Sequence, residues 1–430
     1  MTRLVIRGAR WPGDIAIRDG RIEAVGTVEA ADGDEVLRAD GDLVTAGFVN
    51  THHHLYQWLT RGWAADQGLF GWLTTLYPVW ARFDADDVHA AALVGLAELA
   101  RSGCTTAADH HYVVPRGDDS VFDRIADAAR TVGIRAHVAR GSMDLGESAG
   151  GLPPDAVVED TDAILASTEA VHGRLHDGER IFVTVAPCSP FTVSQRLMTE
   201  SAALARRLGL RLHTHLAETQ DEVADTTARF GVRPVELMRR WDWVADDVWV
   251  AHGIHFDDAE IALLGRTRVG VAHCPSSNAR LAAGMCRVSD LLAAGAPVGL
   301  GVDGVASNEV GGLMPELRQS LYTSRLRTGD ATSLSVREAL RLATEGGADC
   351  LGLPDIGRLE PGCRADLAIW PGDDVADVLD PVAGLALGPD RKVRHLLVQG
   401  EYVVKDGELV HVDLTGARAE LARRARRLWP

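Results

Sequence analysis

Short apolar runs alternate with amphipathic stretches through most of this chain, and that alternation restricts the fold more than any other feature. Eight runs read as buried strands: 43–50, 105–112, 134–140, 180–188, 210–217, 247–253, 268–274 and 297–303. Most of the segments between them carry helical spacing of apolar residues, as in DDVHAAALVGLAELARSG. Strands joined by helical crossovers lie parallel and are covered by the helices. Eight such units predict an α/β protein built on a (β/α)8 TIM-type barrel rather than an open sheet. A dinucleotide-binding sheet would carry GxGxxG at its first strand–helix turn, and no such motif stands there.

The two ends of the chain read differently. LVIRG and DIAIRDGRIEAVG alternate apolar and polar residues around a turn at Asp19-Gly20. The pattern returns in ADLAIW at 365–370 and in HLLVQGEYVVKDGELV at 395–410, with turns at Gly400 and Asp406-Gly407. Residues 1–49 and 355–430 are therefore expected to meet in one small β-sandwich domain, interrupted by a catalytic barrel over 50–354. The basic tail ARAELARRARRLW is expected to be a solvated or packing helix.

Composition removes several classes of function. A formal charge of −17 argues against a nucleic-acid partner, whose phosphates need a basic face. The opening residues MTRLVIRGARWPGD lack the apolar stretch of a signal peptide, and no run approaches the length of a membrane span. Cys104, Cys188, Cys274, Cys286, Cys350 and Cys363 are scattered without a Cys-x-x-Cys, which fits reduced thiols in a cytoplasmic protein. The only lysines are Lys392 and Lys405, near the C-terminus. A barrel without lysine has no Schiff-base nucleophile and no carboxylated lysine to bridge two metals. The expected partner is a small-molecule substrate, with a homo-oligomer the ordinary state for such an enzyme.

Polar residues capable of holding a metal close several of the apolar runs. LVTAGFVN leads to His52-His53-His54, LRLHT to His215, and PVGLGV to Asp303. On extended backbone, residues two apart point the same way, so His52 and His54 can share one ion while His53 faces elsewhere. With 16 histidines in the chain a His-x-His pair alone is weak. The weight rests on His52, His54, His215 and Asp303 together at strand ends, where barrels place active sites. Three imidazoles and a carboxylate suit one zinc or ferrous ion and leave a position for water.

GFVNTHHHLYQ, HTHLAE, AHGIHFDD, HCPSSNARL, GLGVDGVASN and DIGRLEPGCRADLAIW together resemble the amidohydrolase superfamily over essentially the whole chain. They are most similar to its single-metal branch of cytosine, guanine and triazine deaminases. HHHLYQ, LFGWL, SGCTT with DHHY, GGLPPD and VAPCSPF resemble the 8-oxoguanine deaminases within that branch. Ala46 departs from the usual proline before Gly-Phe, away from any catalytic position.

The resemblance implies roles. Glu218 is the general acid that protonates a ring nitrogen and then the departing ammonia. His252 orients the attacking water, and Asp303 both binds metal and takes a proton from that water. Gln57, with a donor and an acceptor on one amide, reads a lactam edge of the substrate. Trp72, Tyr112 and Cys188 form the pocket wall, while His213 either supports the ligands or reaches substrate. The cofactor is one divalent metal per chain, zinc before iron. The implied activity is metal-dependent hydrolytic deamination of an aminated oxopurine, 8-oxoguanine to urate and ammonia. Isoxanthopterin or guanine deamination, or triazine hydrolysis, are the alternatives on the same site. A non-enzymatic homologue would require a broken ligand set.

Overall fold

The computed structural model describes residues 3–429. Eight parallel strands close into a barrel in chain order: Phe48–Asn50, Cys104–His111, Arg135–Ser142, Ile181–Pro187, Leu212–Leu216, Val248–His252, Gly270–His273 and Val298–Leu300. Leu300 beside Asn50 closes the ring, and Leu212 beside Val185 joins its two halves. Nearly every residue of these strands is buried, because neighbouring strands, the barrel interior and the helices outside cover both faces.

The helices stop where the sequence gives them caps. Ala85–Arg101 begins with a complete capping box between Asp84 and Asp87. Gln195–Leu208 begins at Ser194, whose hydroxyl accepts the Leu197 N–H, and ends at Gly209 in the left-handed region. Among the described residues no helix is long and apolar enough to cross a membrane.

One expectation is corrected. The run 43–50 is two strands, not one. Leu43–Ala46 pairs antiparallel with Leu367–Trp370 in a separate five-stranded sheet, while Phe48–Asn50 starts the barrel. Gly47 is the point of transfer. A side chain there would come within 2.3 Å of Thr105, so only glycine lets the chain pass that neighbour.

The chain ends supply both remaining sheets. Leu4–Arg7, Asp14–Arg18, Arg21–Gly26 and Glu35–Arg38 form a four-stranded sheet, and Leu43–Ala46 joins four C-terminal strands in the other. The two share one apolar core that includes Ile6, Ile15 and Ile17 from the first and Val44, Leu367 and Leu397 from the second. Three two-residue turns, Asp19-Gly20, Gln399-Gly400 and Asp406-Gly407, have positive φ at both positions, the conformation that matches strand twist in hairpins. The C-terminal helix Leu414–Leu428 packs on the barrel helix Ala85–Arg101, where Arg418 reaches Glu98 and Arg424 reaches Asp87.

A buried ion pair fastens the sheets to the barrel's N-terminal end. Arg135 Nη1, at the start of the third barrel strand, donates to Asp366 Oδ2 at 2.5 Å and to Thr106 Oγ1 at 3.0 Å. Asp366 Oδ1 accepts the Gln399 N–H of the small sheet at 2.8 Å. Both side chains are excluded from solvent. Asp366→Ala leaves the Arg135 charge uncompensated and is expected to cost about 3–5 kcal/mol in denaturant unfolding. A loss below about 1 kcal/mol would contradict this role for the pair.

Candidate active site

Four acceptor atoms converge at the C-terminal mouth of the barrel. His54 Nδ1 lies 2.7 Å from the carbonyl of His110, and His215 Nδ1 lies 2.7 Å from that of Cys188. A carbonyl only accepts, so both Nδ1 atoms carry a proton, and in the neutral ring each Nε2 is left with a lone pair. His213 Nδ1 donates to the Trp249 carbonyl at 2.9 Å, which leaves its Nε2 to accept from His52 Nδ1 at 2.8 Å. His52 Nε2 is then bare as well, buried and without a hydrogen-bond partner.

These lone pairs face one another. His54 Nε2 and His215 Nε2 are 3.2 Å apart, and Asp303 Oδ1 lies 3.2 Å from His54 Nε2 and 3.4 Å from His52 Nε2. Burial holds His52 and His215 well below the ordinary imidazole range, which favours their neutral, metal-binding forms. Ligands bound tetrahedrally at about 2.0–2.1 Å stand about 3.3–3.4 Å from one another. The donor set and its spacing therefore fit one divalent ion.

His110, which the sequence reading passed over, belongs to this cluster. Ligand atoms of His52, His54, His110 and His215 all lie within 4.8 Å of one another, as do those of His52, His252 and Asp303. His110 stacks on His215 with ring centroids 4.7 Å apart, and its Nε2–H donates to the Ala186 carbonyl at 2.9 Å. It holds His215 by its ring face and His54 by its carbonyl. The signal was available: His110 lies two residues before Tyr112, on the same face of the second strand.

Asp303 is held in the left-handed region, at φ 63°. Its N–H donates to the His52 carbonyl at 3.0 Å, continuing the strand ladder beyond the last assigned pair. Oδ1 accepts the Gly304 N–H at 2.7 Å, and Oδ2 accepts Ser277 Oγ at 2.6 Å and Ser307 Oγ at 3.3 Å. Burial pushes the carboxyl up, but His52 and His54 outweigh it and hold Asp303 well below the carboxylate range. The strain at this residue is stabilised from three sides, as functional sites require.

Glu218 follows the fifth strand by two residues and lies 3.7 Å, Oε2 to Nε2, from His252 at the end of the sixth. Burial raises the Glu218 carboxyl above its ordinary value; His252 opposes the shift and the Asp303 charge adds to it. Burial pulls His252 down, but the charges of Glu218 and Asp303 raise it overall. Asn278 Oδ1, 3.0 Å from His252 Nδ1, fixes which imidazole nitrogen faces Glu218.

The pocket over these groups is lined by Gln57, Trp72, Tyr112 and Cys188, as expected, and also by Leu69, Leu73, Tyr77, Phe191 and Leu281. The second set arises from a helix and two loops; Leu69, Leu73, Phe191 and Leu281 lie within the motifs LFGWL, VAPCSPF and HCPSSNARL but were not singled out as pocket wall. The cavity over these groups is about 30 Å³, room for a water or two. Trp72 is fixed by its indole N–H, which donates to the Ala306 carbonyl at 3.0 Å. Gln57 is the exception: it is fully buried, yet among the described residues neither its Oε1 nor its Nε2 has a partner at good hydrogen-bond geometry. A methyl group at Gly304 would fall 1.7 Å from Oε1, so glycine is what seats the amide there.

Glu316 joins two of the loops that carry the site. Buried, it accepts the Ser276 N–H at 3.0 Å and Asn308 Nδ2 at 2.9 Å, while the same Nδ2 donates to the Val302 carbonyl at 2.7 Å. Burial pushes its carboxyl up to about 7, against the pull of those donors. A raised carboxyl contributes stability that is full below its unfolded pKa and is lost as pH rises through its folded one. The Tm advantage of wild type over Glu316→Gln is therefore expected to shrink between about pH 5 and about pH 8. A difference that stays constant over that range would contradict the shift.

Comparison with known proteins agrees with this geometry. Residues 43–403 match the Amidohydrolase family. The 8-oxoguanine deaminase of Pseudomonas aeruginosa is 46% identical over 412 residues, covering 94% of this chain and 92% of that protein. An isoxanthopterin deaminase from an unknown prokaryotic organism is 37% identical, over 98% of this chain and 93% of that one. The crystal structure of atrazine chlorohydrolase from Arthrobacter aurescens TC1, complexed with zinc, matches with a TM-score of 0.93 at 30% identity, covering 98% of this chain and all of that one. A closed parallel barrel with its acceptor cluster at the mouth, matched along nearly its full length by hydrolytic relatives, places this chain in the amidohydrolase family.

Proposed function

We propose that the protein is a zinc-dependent deaminase of an aminated oxopurine, converting 8-oxoguanine and water to urate and ammonia. The observation that carries this reading is the pairing of two features in one pocket. An acceptor cluster fit for a divalent ion lies beside a buried Glu218 whose carboxyl burial shifts upward, and a Gln57 amide with both atoms unpaired lines the same pocket.

His52, His54, His215 and Asp303 would hold the divalent ion, which when bound would lower the pKa of water toward neutrality. The chain's own groups do the rest. Glu218, its carboxyl shifted upward by burial, donates to the ring nitrogen beside the amino-bearing carbon; it then hands the leaving ammonia the proton that Asp303 took from water, and the hydroxyl proton of the adduct recharges it. His252, oriented by Asn278, stabilises the charge that develops on the attacking oxygen. Asp303 receives the proton that water gives up, on a carboxylate fixed by Ser277 and Ser307.

Gln57 sets the choice of ring. A buried amide without partners is costly, and a lactam supplies an N–H and a C=O that pair with it together. An alkylated triazine offers no such edge. A pterin does, so isoxanthopterin is the second reading, favoured by the same amide and by the named activity of one relative. The free cysteines suit a reducing compartment, and we assign the chemistry to the cytoplasm.

Ammonia release from zinc-loaded protein, given 8-oxoguanine, guanine, isoxanthopterin and an aminotriazine side by side, tests the assignment. A preference for 8-oxoguanine is expected; preference for another ring replaces the substrate and keeps the chemistry, and no ammonia from any ring overturns the reading. Glu218→Gln should keep its metal and lose about 10²–10⁴-fold in kcat. Gln57→Ala should narrow the gap in kcat/KM between oxopurines and diaminopurines by about 10-fold or more, as expected when a buried amide loses its match. Unchanged selectivity would move lactam reading to another residue.

A further inference from the structure

We propose that Glu222 is a positioning residue that aims Glu218 at the reacting atoms. The proposal rests on Glu218 being the proton carrier.

Glu222 sits in the first turn of the helix Gln220–Phe230, which Thr219 caps by accepting the Glu222 N–H at 3.2 Å. Threonine followed three residues later by glutamate is the pattern of a reciprocal capping box, in which the glutamate turns back to the N–H of the cap residue. Here the box is half made. The Glu222 carboxylate passes over Thr219 and accepts the N–H of Ala217 at Oε1 and that of Glu218 at Oε2, each at 2.8 Å.

Those two peptides are the ones that set the direction of the Glu218 side chain. Ala217 stands in the left-handed region at φ 52°, an uncommon conformation for a residue with a side chain. Its carbonyl is held in turn by the N–H groups of Ile254 and His255, at 3.0 Å each, just beyond the sixth strand. The turn between metal ligand and proton carrier is thus clamped on one side by a buried carboxylate and on the other by the strand that delivers His252. Glu222 is 2% exposed and lines no part of the pocket, so it acts through Glu218 and not on substrate. Burial pushes the Glu222 carboxyl up to about 7, against the pull of the two N–H donors it accepts.

Glu222→Gln keeps the shape and one good acceptor but sets an NH2 group against a peptide N–H. Zinc-loaded E222Q is expected to bind one equivalent of metal, keep KM within about twofold and lose about 10–100-fold in kcat. Its crystal structure is expected to show the Glu218 carboxylate displaced while His52, His54, His215 and Asp303 superimpose. Thr219→Ala, which weakens the cap without touching the clamp, should lower Tm and keep kcat within about twofold. If E222Q does not accumulate folded, Glu222→Asp carries the same test, with charge kept and reach shortened. An E222Q enzyme with wild-type kcat and an unmoved Glu218 overturns the proposal. So does a kcat loss that Thr219→Ala matches. Normal turnover in Glu218→Gln would instead remove the proton-carrier role, and the position of Glu218 in the E222Q crystal would still decide whether Glu222 holds the turn.

Discussion

Everything at the mouth of this barrel depends on one electrostatic constraint: imidazole lone pairs and a carboxylate oxygen point at each other with no proton between them. The tautomers leave no other arrangement. Carbonyls of His110, Cys188 and Trp249 claim the far nitrogens of His54, His215 and His213, and His213 passes the constraint on to His52. Acceptors 3.2 Å apart in a buried site repel unless a cation lies among them. The fold thus gathers donors suited to a cation, and its hydrogen bonds hold them facing one point.

The scaffold serves this constraint at unequal depths. Strand ladders deliver His52, His215 and His252, and extra backbone bonds past the strand ends hold Asp303 and Glu218 in place. Three residues at the site, Ala217, His252 and Asp303, take positive φ, and each stands at or just after the end of a strand. Buried carboxylates do the fastening: Glu222 under the Glu218 turn, Glu316 between the loops after the seventh and eighth strands, and Asp366 at the opposite end of the barrel. Above these groups the pocket is lined by Gln57 and by Leu69, Leu73, Phe191 and Leu281.

Legibility in the sequence followed the range of the interaction. His52 and His54 announce themselves by a spacing of two on extended backbone, and the apolar runs before His215 and Asp303 mark strand ends. Barrel strands were readable because burial on both faces makes them continuous and apolar. The division of 43–50 was not, since the two strands are equally apolar and differ only in which sheet receives them. Its cause, the approach of Thr105 to Gly47, lies 58 positions along the chain. His110 lies two residues before Tyr112, so strand alternation puts the two on one face. Glu222 resembles an ordinary cap residue by sequence, and only the positions of the Ala217 and Glu218 peptides reveal its other task. Phe191 and Leu281 come from loops whose pattern carries no period at all, which is why the pocket wall was the least readable part.

The central claim is that this acceptor cluster exists to hold a single divalent ion. Metal content settles it most directly: strip the protein with chelator, reload with zinc, remove the excess and count ions per chain by mass spectrometry, alongside His215→Ala and Asp303→Ala. One tightly held zinc per wild-type chain, absent from both variants, is the predicted result. No retained metal, two ions per chain, or a full complement in both variants would contradict it.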